Sequence, residues 1–184
     1  MASKIDNFLR WVGNHLNHLN KVAPCTLSLQ KLKEMKSILI ISENNTSEQD
    51  TALEKLRKEV STLSPNAKLS SLSLYRKDKK SPARISAGNS TFISQEDFNI
   101  FYKFKSEELK NIINQQYDIV LVSSISYNKY ISYILPFLRT VLMVGCKSIY
   151  ENSVNIMIDS NTKSIETYNK EALANIKMIF GQNN

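Results

Sequence analysis

The alternation of apolar and polar positions divides the chain into short blocks. Over residues 5–22, Ile5, Phe8, Leu9, Val12, Leu16 and Leu19 recur at helical spacing, with Arg10, Asn14, Asn17 and Lys21 off that stripe. The pattern predicts an amphipathic N-terminal helix, weakened at Gly13 and closed by Pro24, with a connector over 25–36. Ile38 to Ile41 is an uninterrupted apolar run, the signature of a strand covered on both faces in a parallel sheet. Thr46 or Ser47 then caps a helix whose first turn is acidic (Glu48, Asp50) and whose buried side is Leu53, Leu56, Val60 and Leu63. Ser64-Pro65-Asn66 stops it.

Residues 68–75 alternate leucine with serine and read as a half-exposed strand. A polar, basic loop follows over 76–89, and the aromatic-rich stretch 92–104 fits no single period. Beyond it the pattern predicts a helix at 105–116, a continuous apolar strand at 118–123 and a helix at 125–139. The buried side of that last helix would be Tyr127, Tyr130, Ile131, Ile134 and Leu138, with its final turn bent by Pro136. Strands at 141–144 and 154–158 and a closing helix at 163–180 complete the chain, with no internal repeat. Strands alternating with helices imply right-handed crossovers. The expected fold is α/β, an open, mostly parallel sheet of about five strands with helices on both faces, Rossmann-like or flavodoxin-like. The expected division is a basic N-terminal helix and connector (1–36) and an α/β domain (37–184).

The order of these blocks, with SILIIS, YDIVLVSS, LPFLRTVLMVG and NIMIDS at their places, resembles a family of small α/β proteins from Bacteroidota catalogued as a domain of unknown function. The resemblance spans about residues 1–180. It implies the fold and a bacterial cytoplasm, and it assigns no activity, cofactor or catalytic residue.

Charge changes the picture more than composition does. The net charge is +7. Residues 1–36 hold six basic and two acidic side chains and residues 76–84 hold five and one, so each segment carries +4. Residues 37–75 sum to −1 and 85–184 to zero. A localised excess makes a local positive field suited to an anionic partner. Lys4, Arg10 and Lys21 in the first segment and Arg76, Lys77, Lys79, Lys80 and Arg84 in the second are therefore the expected nucleic-acid-binding residues, with Tyr75 placed to stack on a base.

Other chemistry is sparse. Only four glycines occur, none in the Glu43–Ser47 turn, where a phosphate loop or dinucleotide fingerprint would need them. Asn44, Asn45, Thr46, Ser123, Ser124 and Asp159 fall at predicted strand ends, where α/β proteins bind small ligands. Their plain reading is turn and cap formation. His15 and His18 have no acid or cysteine within a turn, so no metal site is expected. The two cysteines, Cys25 and Cys146, match no ligand spacing and read as separate thiols. No apolar run approaches the ~20 residues that cross a bilayer, and the N-terminus lacks a secretory core, so a cytoplasmic location is expected.

The reading is a non-enzymatic binding protein without a cofactor, docking on an anionic macromolecule, structured RNA or the ribosome, through the basic helix and loop 76–84. The alternatives are a small-molecule or nucleotide site in the turns after the strands, and attachment to another protein or a membrane surface through Ile5, Phe8, Leu9, Val12 and Leu16.

Overall fold

A computed structural model describes residues 4–16, 34–77, 84–150 and 153–181. Helix α1 (Lys4–Leu16) precedes strand β1 (Ser37–Glu43), α2 (Ser47–Leu63), β2 (Lys68–Tyr75) and β3 (Ser90–Ser94). Then come α3 (Glu107–Asn114), β4 (Gln116–Ser123), α4 (Lys129–Ile134), β5 (Arg139–Cys146), a single turn α5 (Lys147–Tyr150), β6 (Ile156–Ile158) and α6 (Ile165–Gly181). The six strands form one all-parallel sheet in the order β3-β2-β1-β4-β5-β6. This is the Rossmann-like order: strands are added outward on one side from β1 to β3 and then on the other from β4 to β6, so the topological switch point lies between β1 and β4.

The uninterrupted apolar runs are explained by two cores. Leu39, Ile41, Val120 and Val122 face one layer with α3 and α4, whereas Ile38, Ile40, Ile119 and Leu121 face the other with α2 and α6. With side chains alternating along each strand, a strand covered on both faces has no position left for a charge.

Three expectations change. The sheet has six strands, and the sixth, β3, lies in and just before the aromatic stretch that fitted no period. It is a five-residue edge strand, Ser-Thr-Phe-Ile-Ser, too short to show a period. Strand β2 is interior, and two of its serines are buried: Ser71 and Ser73 are each 1% exposed. Their hydroxyls make burial tolerable, because Ser73 pairs with Ser42 at 3.0 Å and Ser71 bonds Ser90 at 3.3 Å. Helix α4 starts at Lys129 under an Asn128 cap, and a 3-10 turn holding Pro136 finishes it. Tyr127 therefore precedes the helix and is exposed, not buried.

Helix α1 rests on the α3/α4 layer in an orientation the periodicity does not predict. Asp6, Leu9, Arg10 and Gly13, spaced i, i+3, i+4 and i+7, face the domain. Leu9 packs on the core beside α4. Asp6 Oδ1 accepts from the Tyr102 hydroxyl at 2.6 Å. Arg10 donates to Asp6 at 2.9 Å, to the Tyr127 hydroxyl at 3.1 Å and to the Lys129 carbonyl at 3.3 Å. A Cβ on Gly13 would stand 2.7 Å from Tyr102 Cβ and 2.9 Å from the Tyr133 hydroxyl. The absent side chain at Gly13 is what allows the close approach.

Candidate functional site at the carboxyl edge of the sheet

The polar turn after β1 is built from its own side chains. Thr46 caps α2 reciprocally with Gln49: the Gln49 amide donates to Thr46 Oγ1 at 3.3 Å, and the Gln49 side-chain oxygen accepts from the Thr46 amide at 3.2 Å. That oxygen also accepts from the Asn45 amide at 2.7 Å. Asn44 is buried, accepting from Ser42 at 2.9 Å and donating to Asp50 at 2.7 Å. Asn45 Oδ1 accepts from the Arg76 amide at 2.7 Å, tying this turn to the end of β2. The turn needs no glycine because capping side chains satisfy its backbone donors.

At the switch point itself the groups are acidic and hydroxylic. The Ser124 and Ser126 hydroxyls donate to Glu43 Oε1 at 3.0 and 3.1 Å. The Tyr150 hydroxyl, buried nearby, lies 3.2 Å from Ser124 Oγ. Burial, then the neighbouring Glu43 charge, pushes Tyr150 up to about 12 against the opposing Ser124 bond. A carboxylate thus sits where a dinucleotide fold places its ligand's phosphates, and it repels them. Ser123 turns to the other layer, donating to Asn169 at 2.8 Å beside a water-sized cavity of about 10 Å³. The amide nitrogen of Asn169 is buried there without a hydrogen-bond partner. Asp159, after β6 near the far edge, stands 3.6 Å from Lys147. Of the six predicted ligand residues, Asn45 lines a larger concavity.

That concavity, about 400 Å³, lies over the carboxyl ends of β1, β2 and β3. Asn45, Leu74, Tyr75, Arg76, Gln95, Asn128 and Tyr130 line it. Gln95 is held by the Lys77 backbone, donating to its carbonyl at 3.1 Å. Asn128 Oδ1 caps α4, accepting from Tyr130 and Ile131 amides at 2.9 and 3.2 Å. Lys129 extends over the Tyr130 ring, 4.9 Å from its centroid. Gln95, Asn128 and Lys129 escaped the sequence reading, and Tyr130 was expected on the buried side of its helix. Asn128 carried a usable signal, an Asn before a helical period; Gln95 and Tyr130 arrive from segments distant in sequence.

The basic residues divide. Arg10 is 17% exposed at its side chain and holds α1 to the domain. Burial would lower its pKa, but bonding to Tyr127 and the Asp6 charge raise it. Arg84 grips Asp50 with two bonds, 2.5 and 2.9 Å, and lies over the Tyr75 and Phe92 rings. This pair holds the Asp50 carboxyl below the usual carboxylate range. Lys77 meets Glu96 at 2.6 Å, which raises the pKa of Lys77. Lys4 and Arg76 are exposed. Lys21, Lys79 and Lys80 lie outside the described residues, as do His18 and Cys25. Cys146 is a buried free thiol. Among the described residues no three His, Cys, Asp or Glu side chains are grouped to hold a metal, and no helix is long and apolar enough to cross a membrane.

No curated protein and no solved structure matches this chain. A family model does: over residues 10–179 the chain matches the "Family of unknown function (DUF6913)", and it belongs to that family.

Proposed function

We propose that this protein is a non-enzymatic binding module of a Bacteroidota cytoplasm that receives a nucleotide-bearing polyanion, structured RNA, at the carboxyl edge of its sheet. One observation carries the reading. Arg10 and Arg76, one from each basic segment and far apart in sequence, approach one cleft. Arg10 of α1 contacts Tyr127 and Lys129, while Asn128 and Tyr130 between and beside them line the same concavity as Arg76. Tyr75 and Tyr130 offer ring faces for a splayed base, and Asn45, Gln95 and Asn128 offer amides for its edge. Lys4, Arg76, Lys79 and Lys80 supply the field that attracts phosphates, whereas Arg10 and Arg84 serve mainly to position the elements that carry it.

The size of the cleft favours a second reading of the same chemistry. A volume of about 400 Å³ suits one nucleotide-sized ligand. The two are separated by binding assays with single-stranded RNA and with free mononucleotides across a salt series. For RNA, the logarithm of affinity should fall with the logarithm of salt by about 0.7 per phosphate contact. Lys79→Ala with Lys80→Ala should reduce that slope by roughly 1.5 while leaving folding intact. Arg76→Ala should weaken either ligand. Mononucleotide binding with a flat salt slope selects the second reading, and binding of neither overturns both.

A further inference from the structure

Helix α1 is docked by its polar side and turns its apolar side outward. Asp6, the one acid of the helix, and Arg10 face the domain and are 22% and 17% exposed at their side chains. Ile5, Phe8 and Trp11 are 73%, 59% and 62% exposed, and Leu16 is 42% exposed. The Phe8 and Trp11 rings stack at 6.2 Å, and Trp11 and His15 at 5.9 Å, forming one continuous aromatic ridge. The helix cannot roll to bury this ridge. Such a roll would break the Asp6–Tyr102 and Arg10–Tyr127 bonds and would replace Gly13 by a side chain at a contact with no room for one.

Two features identify what covers the ridge. The first is area. Thirteen residues make a helix only about 20 Å long, and one such strip laid on its copy falls well short of the ~800 Å² per partner of a specific dimer. An interfacial bed of acyl chains demands no complementary shape and accepts a narrow strip. The second is charge. The outward face carries Lys4 and His15 and no carboxylate, and the first 36 residues carry +4. Aromatic and aliphatic side chains flanked by cations suit a bilayer bearing anionic headgroups. From this geometry we infer that α1 docks on an anionic lipid surface, with Phe8 and Trp11 in the headgroup region and the α/β domain on the aqueous side.

Trp11 is the only tryptophan of the chain, so tryptophan emission, excited selectively over the tyrosines, reads this face alone. The full-length protein is mixed with vesicles of phosphatidylcholine, or of phosphatidylcholine with phosphatidylserine, at low and high salt, and partitioning is followed by emission and co-sedimentation. A blue shift and sedimentation with the phosphatidylserine vesicles, weakened by salt, are the expected results. Phe8→Gln, which retains Trp11, should reduce partitioning roughly tenfold or more at an unchanged melting temperature. No shift with either vesicle overturns the proposal. So does emission already blue-shifted in buffer: a dimer by sedimentation equilibrium then assigns the ridge to a second copy, and a monomer assigns it to the chain's own residues. A shift caused by RNA and not by vesicles would make the ridge a base-stacking platform and would equally overturn it.

Discussion

Helices α1 and α2 are both amphipathic and have opposite fates. In α2, Ala52, Leu53, Leu56 and Val60 are buried against the sheet while most of the charges face water. In α1, the buried residue is Gly13, the aspartate and arginine are turned inward, and the aromatic side chains are outside. Periodicity predicts that a helix forms and which side is apolar. It does not predict which side meets the domain when hydrogen-bonding partners and a glycine compete with apolar area. A charge-assisted bond is worth about 1.5–3 kcal/mol, comparable with burying one large apolar side chain. Two such bonds, an ion pair and a close backbone approach are enough to set the orientation.

Substitutions along the two helices break or sharpen this contrast. Leu56→Ala opens a cavity in the α2/α6 core and should cost about 2–5 kcal/mol in denaturant unfolding, a loss shared by the whole sheet. Gly13→Ala would stabilise an isolated helix, yet here the added methyl meets the Phe101 carbonyl, the Tyr102 Cβ and the Tyr133 hydroxyl. It should cost about 1–3 kcal/mol, and hydrogen exchange should show the loss concentrated in α1. A stabilising outcome would mean that α1 does not dock on this face. Tyr102→Phe keeps the ring and removes the donor to Asp6; it should cost about 1–2 kcal/mol and raise exchange in α1 without affecting α2.

The α2 side offers a pH test. Asp50, in the first turn of α2, has a folded-state pKa lowered first by its bond to Arg84. Its stabilisation is therefore fully present above the unfolded value of about 4 and is lost as pH falls through the lower folded value. The Asp50 side chain is 40% exposed, so solvent screening limits the effect to roughly 1 kcal/mol. Asp50→Asn should destabilise by that amount at pH 7, and the difference from wild type should shrink as pH falls below the unfolded value of about 4. The smallest effect is expected at the outer face of α1: Phe8→Gln should change stability by less than about 0.5 kcal/mol. A loss of several kcal/mol would show that the ridge is buried.

Much of the fold was legible because buried parallel strands have little compositional freedom. SILII, DIVLV and VLMV admit few other environments, and Thr46 or Ser47 before an acidic turn marked a helix start, which the structure sets at the Thr46 cap. Short or mixed elements were not legible: β3 has five residues and no period, and Ser71 and Ser73 look solvated until cross-strand hydroxyls satisfy them. The candidate cleft was half visible. Arg76, Asn45 and Tyr75 were named from charge and turn chemistry, whereas Gln95, Asn128 and Tyr130 enter it only through the crossover from β3 to β4 and the loop after β4. Local chemistry in the chain determined strands, helices, caps and the two basic segments. Tertiary packing alone decided that Glu43 fills the switch point, that Arg10 and Arg84 pair internally, and that α1 shows its apolar side to the outside, because each depends on partners some 30 to 120 residues away.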